Sequence, residues 1–127
     1  MKRFIRSFLA APFFLLAAVS SYSQTITPEM STEEKAEILT NRQDAEISFE
    51  GAQRDEMHVL NLKYLEEMEE IRSRGRSFST LRSLRDMSKR KDKEVKQILD
   101  KEQYDKYLDQ KEEMKSEMRA QMKEKDS

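Results

Sequence analysis

Two blocks of opposite charge meet beside a glycine turn, and no other feature of this chain restricts its folding so much. Residues 44–70 hold nine acids against two bases, Arg54 and Lys63. Residues 71–93 hold nine bases against two acids, Asp86 and Asp92. The net charges are −7 and +7. Near the start of the basic block, where acidic gives way to basic, lies Gly75-Arg76-Ser77-Phe78-Ser79, with Gly75 where a helix would take its C-terminal cap. Folding the basic segment back on the acidic one lays opposite charges side by side. A single surface pair is worth only ~0–1 kcal/mol, but the sum favours an antiparallel arrangement over a parallel or slipped one. The same arginines, Arg72, Arg74, Arg76, Arg82 and Arg85, could also rim a surface for acidic or amphipathic partners.

Both blocks carry helical periodicity. Ser31 followed by Glu34 forms a capping box, and Ala36, Leu39, Gln43 and Ile47 continue at helical spacing, predicting a first helix over about 32–46. Ser48 to Gly51 is a break. Met57, Leu60, Tyr64, Met68 and Ile71 form a stripe that predicts a second helix over about 50–74. Ser79 or Thr80 starts a third, over about 80–98, with Leu81, Leu84, Met87, Val95 and Ile98 as its apolar side. Ser88 and Lys91 interrupt that side and should leave its middle wetter. At Asp100, with Gln103 at the third helical position, a cap restarts the chain. Leu99 and Tyr104 flank it as a hydrophobic staple. Tyr107, Leu108, Met114, Met118 and Met122 carry a fourth helix to about 122, leaving 123–127 as a frayed tail. No segment alternates with period two. Two Gly and two Pro among 127 residues cannot punctuate a many-stranded sheet. The fold class is therefore all-α: a long antiparallel helical hairpin with two shorter flanking helices. So thin a core leaves apolar stripes uncovered, which points to a self-complementary dimer or an open apolar cradle.

The first residues read as an address. Lys2, Arg3 and Arg6 precede the apolar run FLAAPFFLLAAV, and Ser20 to Ser23 are small and polar apart from Tyr22. This is the order of a secretory signal peptide, cut after Ser23, in a run too short to span a bilayer, which takes ~20 residues. Residues 24–31 would be a disordered leader and 32–122 the helical domain. The exported chain would keep 21 basic and 25 acidic residues and work in the periplasm, away from ATP and chromosomal DNA, with no stable membrane insertion.

Chemistry-bearing groups are sparse. No Cys excludes thiolate zinc sites and cysteine catalysis. The single His58, between Met57 and Val59, reads as a packed or surface residue. No catalytic constellation is present, so no enzyme activity and no cofactor are expected. Met114, Met118 and Met122 share a helix face at spacing four. Thioethers bind Cu(I), but a deformable apolar stripe that repacks against varied partners is the simpler reading. Phe78, beside Arg76, is exposed by position and reads either as an anchor for a partner or as a cap on the hairpin.

The hexapeptide Leu99-Asp100-Lys101-Glu102-Gln103-Tyr104, the leader and the helical layout resemble the Spy/CpxP-type periplasmic proteins, and among them the Bacteroidetes members. Their mark is a repeated L-T-x-x-Q. The second copy matches at Leu99 and Gln103, with Asp100 in the capping role of Thr. The first falls on Phe49-Glu50-Gly51-Ala52-Gln53, where Phe49 replaces Leu, Glu50 is a poor cap and Gln53 is kept. The likeness covers about residues 32–115. It implies a curved all-α homodimer acting as an ATP-independent holdase, whose concave face takes unfolded envelope proteins. Client contacts would then fall on Met57, Leu60, Tyr64, Arg76, Phe78, Leu81, Arg82 and Arg85. Phe49, Gln53, Leu99, Asp100, Gln103 and Tyr104 would be structural. Other relatives act as envelope-stress regulators docking on a periplasmic sensor domain, or in metal resistance and sensing.

Overall fold

The computed structural model describes residues 25–126. Every regular element among them is an α-helix: α1 (Thr32–Ile47), α2 (Gln53–Ser73), α3 (Phe78–Ile98) and α4 (Lys101–Asp126). The predicted signal peptide and its cleavage point lie outside the described residues.

Each helix boundary has a local cause. Ser31 Oγ accepts the Glu34 amide at 3.2 Å and the Glu34 carboxylate accepts the Ser31 amide at 3.3 Å, the reciprocal box expected there. α1 ends because Ser48 takes the left-handed conformation at φ 62°. Its amide donates to the Asp44 carbonyl at 2.9 Å, and Asp44 Oδ1 accepts the Phe49 amide at 2.9 Å. Gly51 follows, also at positive φ, where a Cβ would be strained. The second helix therefore starts at Gln53 instead of near 50. At the next turn Gly75 has φ 98°. The cap beyond it is Ser77, whose Oγ accepts the Thr80 amide at 3.1 Å. α3 thus begins at Phe78, two residues before the expected start, because Ser77 rather than Ser79 reaches the free amide two residues into the helix. α4 is helical through Asp126, so residues 123–126 extend the last helix where a frayed tail was expected.

The core gathers Ile47 from α1, Met57, Leu60, Tyr64 and Ile71 from α2, Met87 and Val95 from α3, and Leu99 and Tyr107 around α4. Ala36 and Leu39 are buried on α1. α1 and α2 are also keyed together by buried polar groups. Asn61 Nδ2 donates to Thr40 Oγ1 at 3.0 Å and to Gln43 Oε1 at 2.8 Å, and Thr40 Oγ1 donates to the Ala36 carbonyl at 2.7 Å. Sliding one helix along the other would strand these donors, which makes the register specific.

The burial corrects part of the expected client surface. Met57 is 0% exposed, Tyr64 2% and Leu60 6%. α1 covers one side of their stripe and α3 the other, so they are core residues that no client can reach. The charge blocks need a correction too. Contacts between α2 and α3 descend on one helix as they climb on the other: Lys63 with Glu94 at 3.1 Å, and Arg90 with Glu67. Among the nine bases of residues 71–93, Arg90 and Arg74 are the two with an ion pair among the described residues, and Arg74 pairs within its own segment with Glu70. Most of the positive block faces solvent instead of neutralising the acidic helix.

Candidate functional site

Two features stand out, a polar clasp at the joints and a groove beside it. The clasp is built from the two motif glutamines, fifty residues apart. Gln53 Nε2 donates to Gln103 Oε1 at 2.9 Å, and Gln103 Nε2 donates back to Gln53 Oε1 at 2.9 Å. Each amide also holds the opposite joint. Gln53 Nε2 donates to the Ile98 carbonyl at 3.0 Å, and Gln103 Nε2 to the Ser48 carbonyl at 3.2 Å. Each also accepts the amide three residues before it, from Glu50 at 2.8 Å and from Asp100 at 3.0 Å. The clasp ties the α1–α2 break to the α3–α4 break and sets where α4 leaves the body. Asp100 Oδ1 accepts the Gln103 amide at 2.8 Å, the expected cap. Leu99 is buried and Tyr104 packs against the core with it. Phe49 packs there too, from the other joint.

α4 leaves the clasp and runs along the body. Gln110 Nε2 donates to the Arg42 carbonyl at 3.2 Å. Asp92 on α3 accepts from the Tyr107 hydroxyl at 3.0 Å and from Lys111 Nζ at 2.6 Å. Beyond Lys111 the helix stands away from the body and opens a groove. Its inner part encloses about 360 Å³ and is floored by Leu39, Met68, Leu84, Met87, Met114 and Met118. Its outer part, about 570 Å³, shares Arg72 and Leu84 and adds Arg76, Leu81 and Met122. Five methionines therefore line two adjoining depressions that share Arg72 and Leu84. Met118 and Met122 are 53% and 63% exposed although they are large and apolar. Arg72, Lys91, Lys111 and Lys115 supply positive charge at the same walls. Ser88 and Lys91, the expected wet interruption of α3, lie here.

Sequence reasoning thus placed its candidates in three locations. Met57, Leu60 and Tyr64 are in the core. Arg76 and Leu81 line the outer groove. Phe78, Arg82 and Arg85 are exposed on α3 outside the groove walls. The reading missed Met68, Met87 and Leu84 as groove residues. A signal was available, since Met68 and Met87 continue the same thioether chemistry as Met114 and Met118. His58 Nδ1 lies 3.4 Å from Glu37 Oε2, away from the groove. No group of three or more His, Cys, Asp or Glu side chains suited to a metal occurs among the described residues. None of the described helices is long and apolar enough to cross a membrane.

Burial perturbs several groups around the core. Loss of hydration, and then the hydrogen bond to Glu94, push Tyr64 up from 10.0 to about 12. Tyr107 is raised by burial first and by Asp92 next, and Tyr104 by burial. Lys91 is pushed down from 10.5 to about 8 by burial, helped by neighbouring Lys111 and opposed by Asp92. These shifts give stability a definite pH profile. A lysine that loses its proton earlier when folded makes the unfolded chain bind more protons between about 8 and 10.5, so stability rises there. A phenol whose folded value is raised acts oppositely: its contribution is complete below 10.0 and lost between there and about 12. Thermal melts followed from neutral pH upward are expected to show a maximum near pH 10 and then a steep fall. Lys91→Met should flatten the rise and Tyr64→Phe should shallow the fall. A monotonic decline from neutral pH would contradict the assignment.

No protein-family model matches the chain, and no curated protein or solved structure matches it.

Proposed function

We propose that this chain is an exported, ATP-independent holdase of the Spy/CpxP type that takes non-native envelope proteins into the methionine-lined groove in the periplasm. In this reading the α2–α3 pair is the antiparallel hairpin and two copies form a curved dimer. The observation that carries it is the groove itself: five thioethers, of which Met118 and Met122 are mostly exposed, line it with Leu39, Leu81 and Leu84, beside the cations Arg72, Lys91, Lys111 and Lys115. Methionine is unbranched and repacks at little cost, which suits a wall that must accept many sequences. The cations raise the encounter rate with acidic clients. The reciprocal Gln53–Gln103 clasp adds support, because it gives the two motif-like segments a common structural role.

The magnitudes suit holding more than trapping. Roughly two client side chains seated in the groove would contribute about 3–6 kcal/mol before ordering costs. Before those costs this corresponds to a per-site Kd between about 6 mM and 40 μM, and the costs weaken it further, loose enough for a client to fold while in contact. The test is aggregation of a chemically denatured client, diluted into buffer without ATP, in the presence of protein purified from the periplasm. Light scattering should fall progressively and approach baseline near equimolar dimer. Unchanged scattering at that ratio, together with capture of one stoichiometric periplasmic partner, would replace the holdase with a regulatory subunit.

A further inference from the structure

The groove leaves part of the positive block unexplained. Arg82, Arg85, Lys89, Lys93 and Lys96 follow one another along α3 at spacings of three, four, four and three. At about 100° per residue they fall inside a wedge of roughly 80°, and at ~1.5 Å per residue they span roughly 21 Å. All five are exposed, and none has an ion pair within 4.0 Å among the described residues. Lys96 lies 5.9 Å from the Tyr104 ring. Two carboxylates on the same helix border the wedge. Asp92 is already held by Tyr107 and Lys111, which leaves Asp86 as the other carboxylate of α3 beside the wedge. Phe78 occupies the same wedge one turn before Arg82 and is 90% exposed. No apolar side chain interrupts the five cations.

We propose that this stripe is a peripheral docking surface for the anionic phospholipid headgroups of a bilayer, with Phe78 as the side chain that enters the interface. The composition of the stripe decides between occupants. A protein interface needs an apolar centre and is depleted in lysine, whereas here the centre is wholly cationic. A planar array of negative headgroups needs no shape complementarity. It attracts each Lys or Arg independently and is screened within a Debye length. A phenyl ring at one end of a basic helix is suited to the headgroup boundary. The groove is formed chiefly by the far side of α3 and by α4, so adsorption leaves it free. This inference does not depend on the holdase reading and is measured without a client.

The experiment is flotation of protein purified from the periplasm with vesicles of phosphatidylcholine, alone or mixed equally with phosphatidylglycerol. Binding is expected to the mixed vesicles at low ionic strength, with little to the neutral ones, and it should decline as salt is added. Arg82→Glu/Arg85→Glu/Lys89→Glu, checked by circular dichroism for unchanged helix content, should lower the partition at least about tenfold. Phe78→Ser should weaken it about two- to fivefold and leave the salt dependence intact. Binding that ignores the three reversals would overturn the proposal. So would equal binding to neutral vesicles, or binding to soluble polyglutamate with no retention on the mixed vesicles, which would make the stripe a site for acidic polypeptides. Should the triple variant fail to fold, the single Arg85→Glu and the salt titration carry the same decision.

Discussion

Gln103→Leu is expected to destabilise the protein by about 3 kcal/mol, lowering the melting temperature by about 10–20 °C. The reason is the number of groups that this one amide serves. It donates to Gln53 Oε1 and to the Ser48 carbonyl, and it accepts from Gln53 Nε2 and from the Asp100 amide. Leucine matches its bulk but takes this partner from the Ser48 carbonyl and the Asp100 amide and leaves Gln53 only its bonds to the Ile98 carbonyl and the Glu50 amide, in a place that water reaches poorly. Orphaned buried groups cost about 1–3 kcal/mol each, and partial hydration at the joints brings the sum down. Gln103→Glu should fall between wild type and leucine, because it keeps the acceptor and loses the donor. A double-mutant cycle of Gln53→Ala with Gln103→Ala should return a coupling of about 1–2 kcal/mol. Melting within a degree or two of wild type for Gln103→Leu would show that the two joints are held by packing alone and that the reciprocal amides are incidental.

That clasp also marks how far the residues themselves could be read. Gln103 was legible as a cap residue, since Asp100 stands three positions before it and a short polar side chain at that distance has few other uses. Its bond to Gln53 was not legible, because nothing in a one-dimensional pattern says that two breaks fifty residues apart meet. The four helices were visible from stripe spacing, as was the Gly75 turn. Ser48 was harder. A non-glycine residue at positive φ is held there by its surroundings, here the Asp44 carbonyl and carboxylate, and no intrinsic preference announces it. The misassignment of Met57, Leu60 and Tyr64 has a different origin. Periodicity identifies an apolar stripe but not what lies over it, and Asn61, buried against Thr40 and Gln43 on α1, was the polar residue that could have shown α1 lying over α2. Charge misled for a related reason. The two blocks are complementary in sum, yet α2 and α3 meet along their apolar edges, so only Lys63, Glu67, Arg90 and Glu94 come within reach across them. Of the other cations in the basic block, Arg74 pairs within its own segment, and the rest make no ion pair among the described residues.

Met114→Gln/Met118→Gln is expected to raise the amount of protein needed for half-maximal suppression of client aggregation at least about tenfold. Glutamine nearly matches methionine in length and helix propensity, so α4 should keep its helix. Met118 is 53% exposed and Met114 only half-buried, so the core around Met57 and Tyr64 is untouched. The substitution changes the polarity of the groove wall without altering its charge. Each thioether withdrawn from a client contact forfeits part of the ~1.5–3 kcal/mol that full burial would give, and two half-buried losses amount to about one order of magnitude or more. Met114→Leu/Met118→Leu should retain most of the activity, since the wall stays apolar and loses only some pliability. Met57→Gln is the contrasting variant. It places an unpaired amide in a fully buried site and should unfold the protein instead of weakening client contact. Suppression by the double glutamine variant at wild-type levels, with helix content intact, would show that clients are held elsewhere, and the opening between α3 and α4 would then be a gap left by a helix with nothing to pack on.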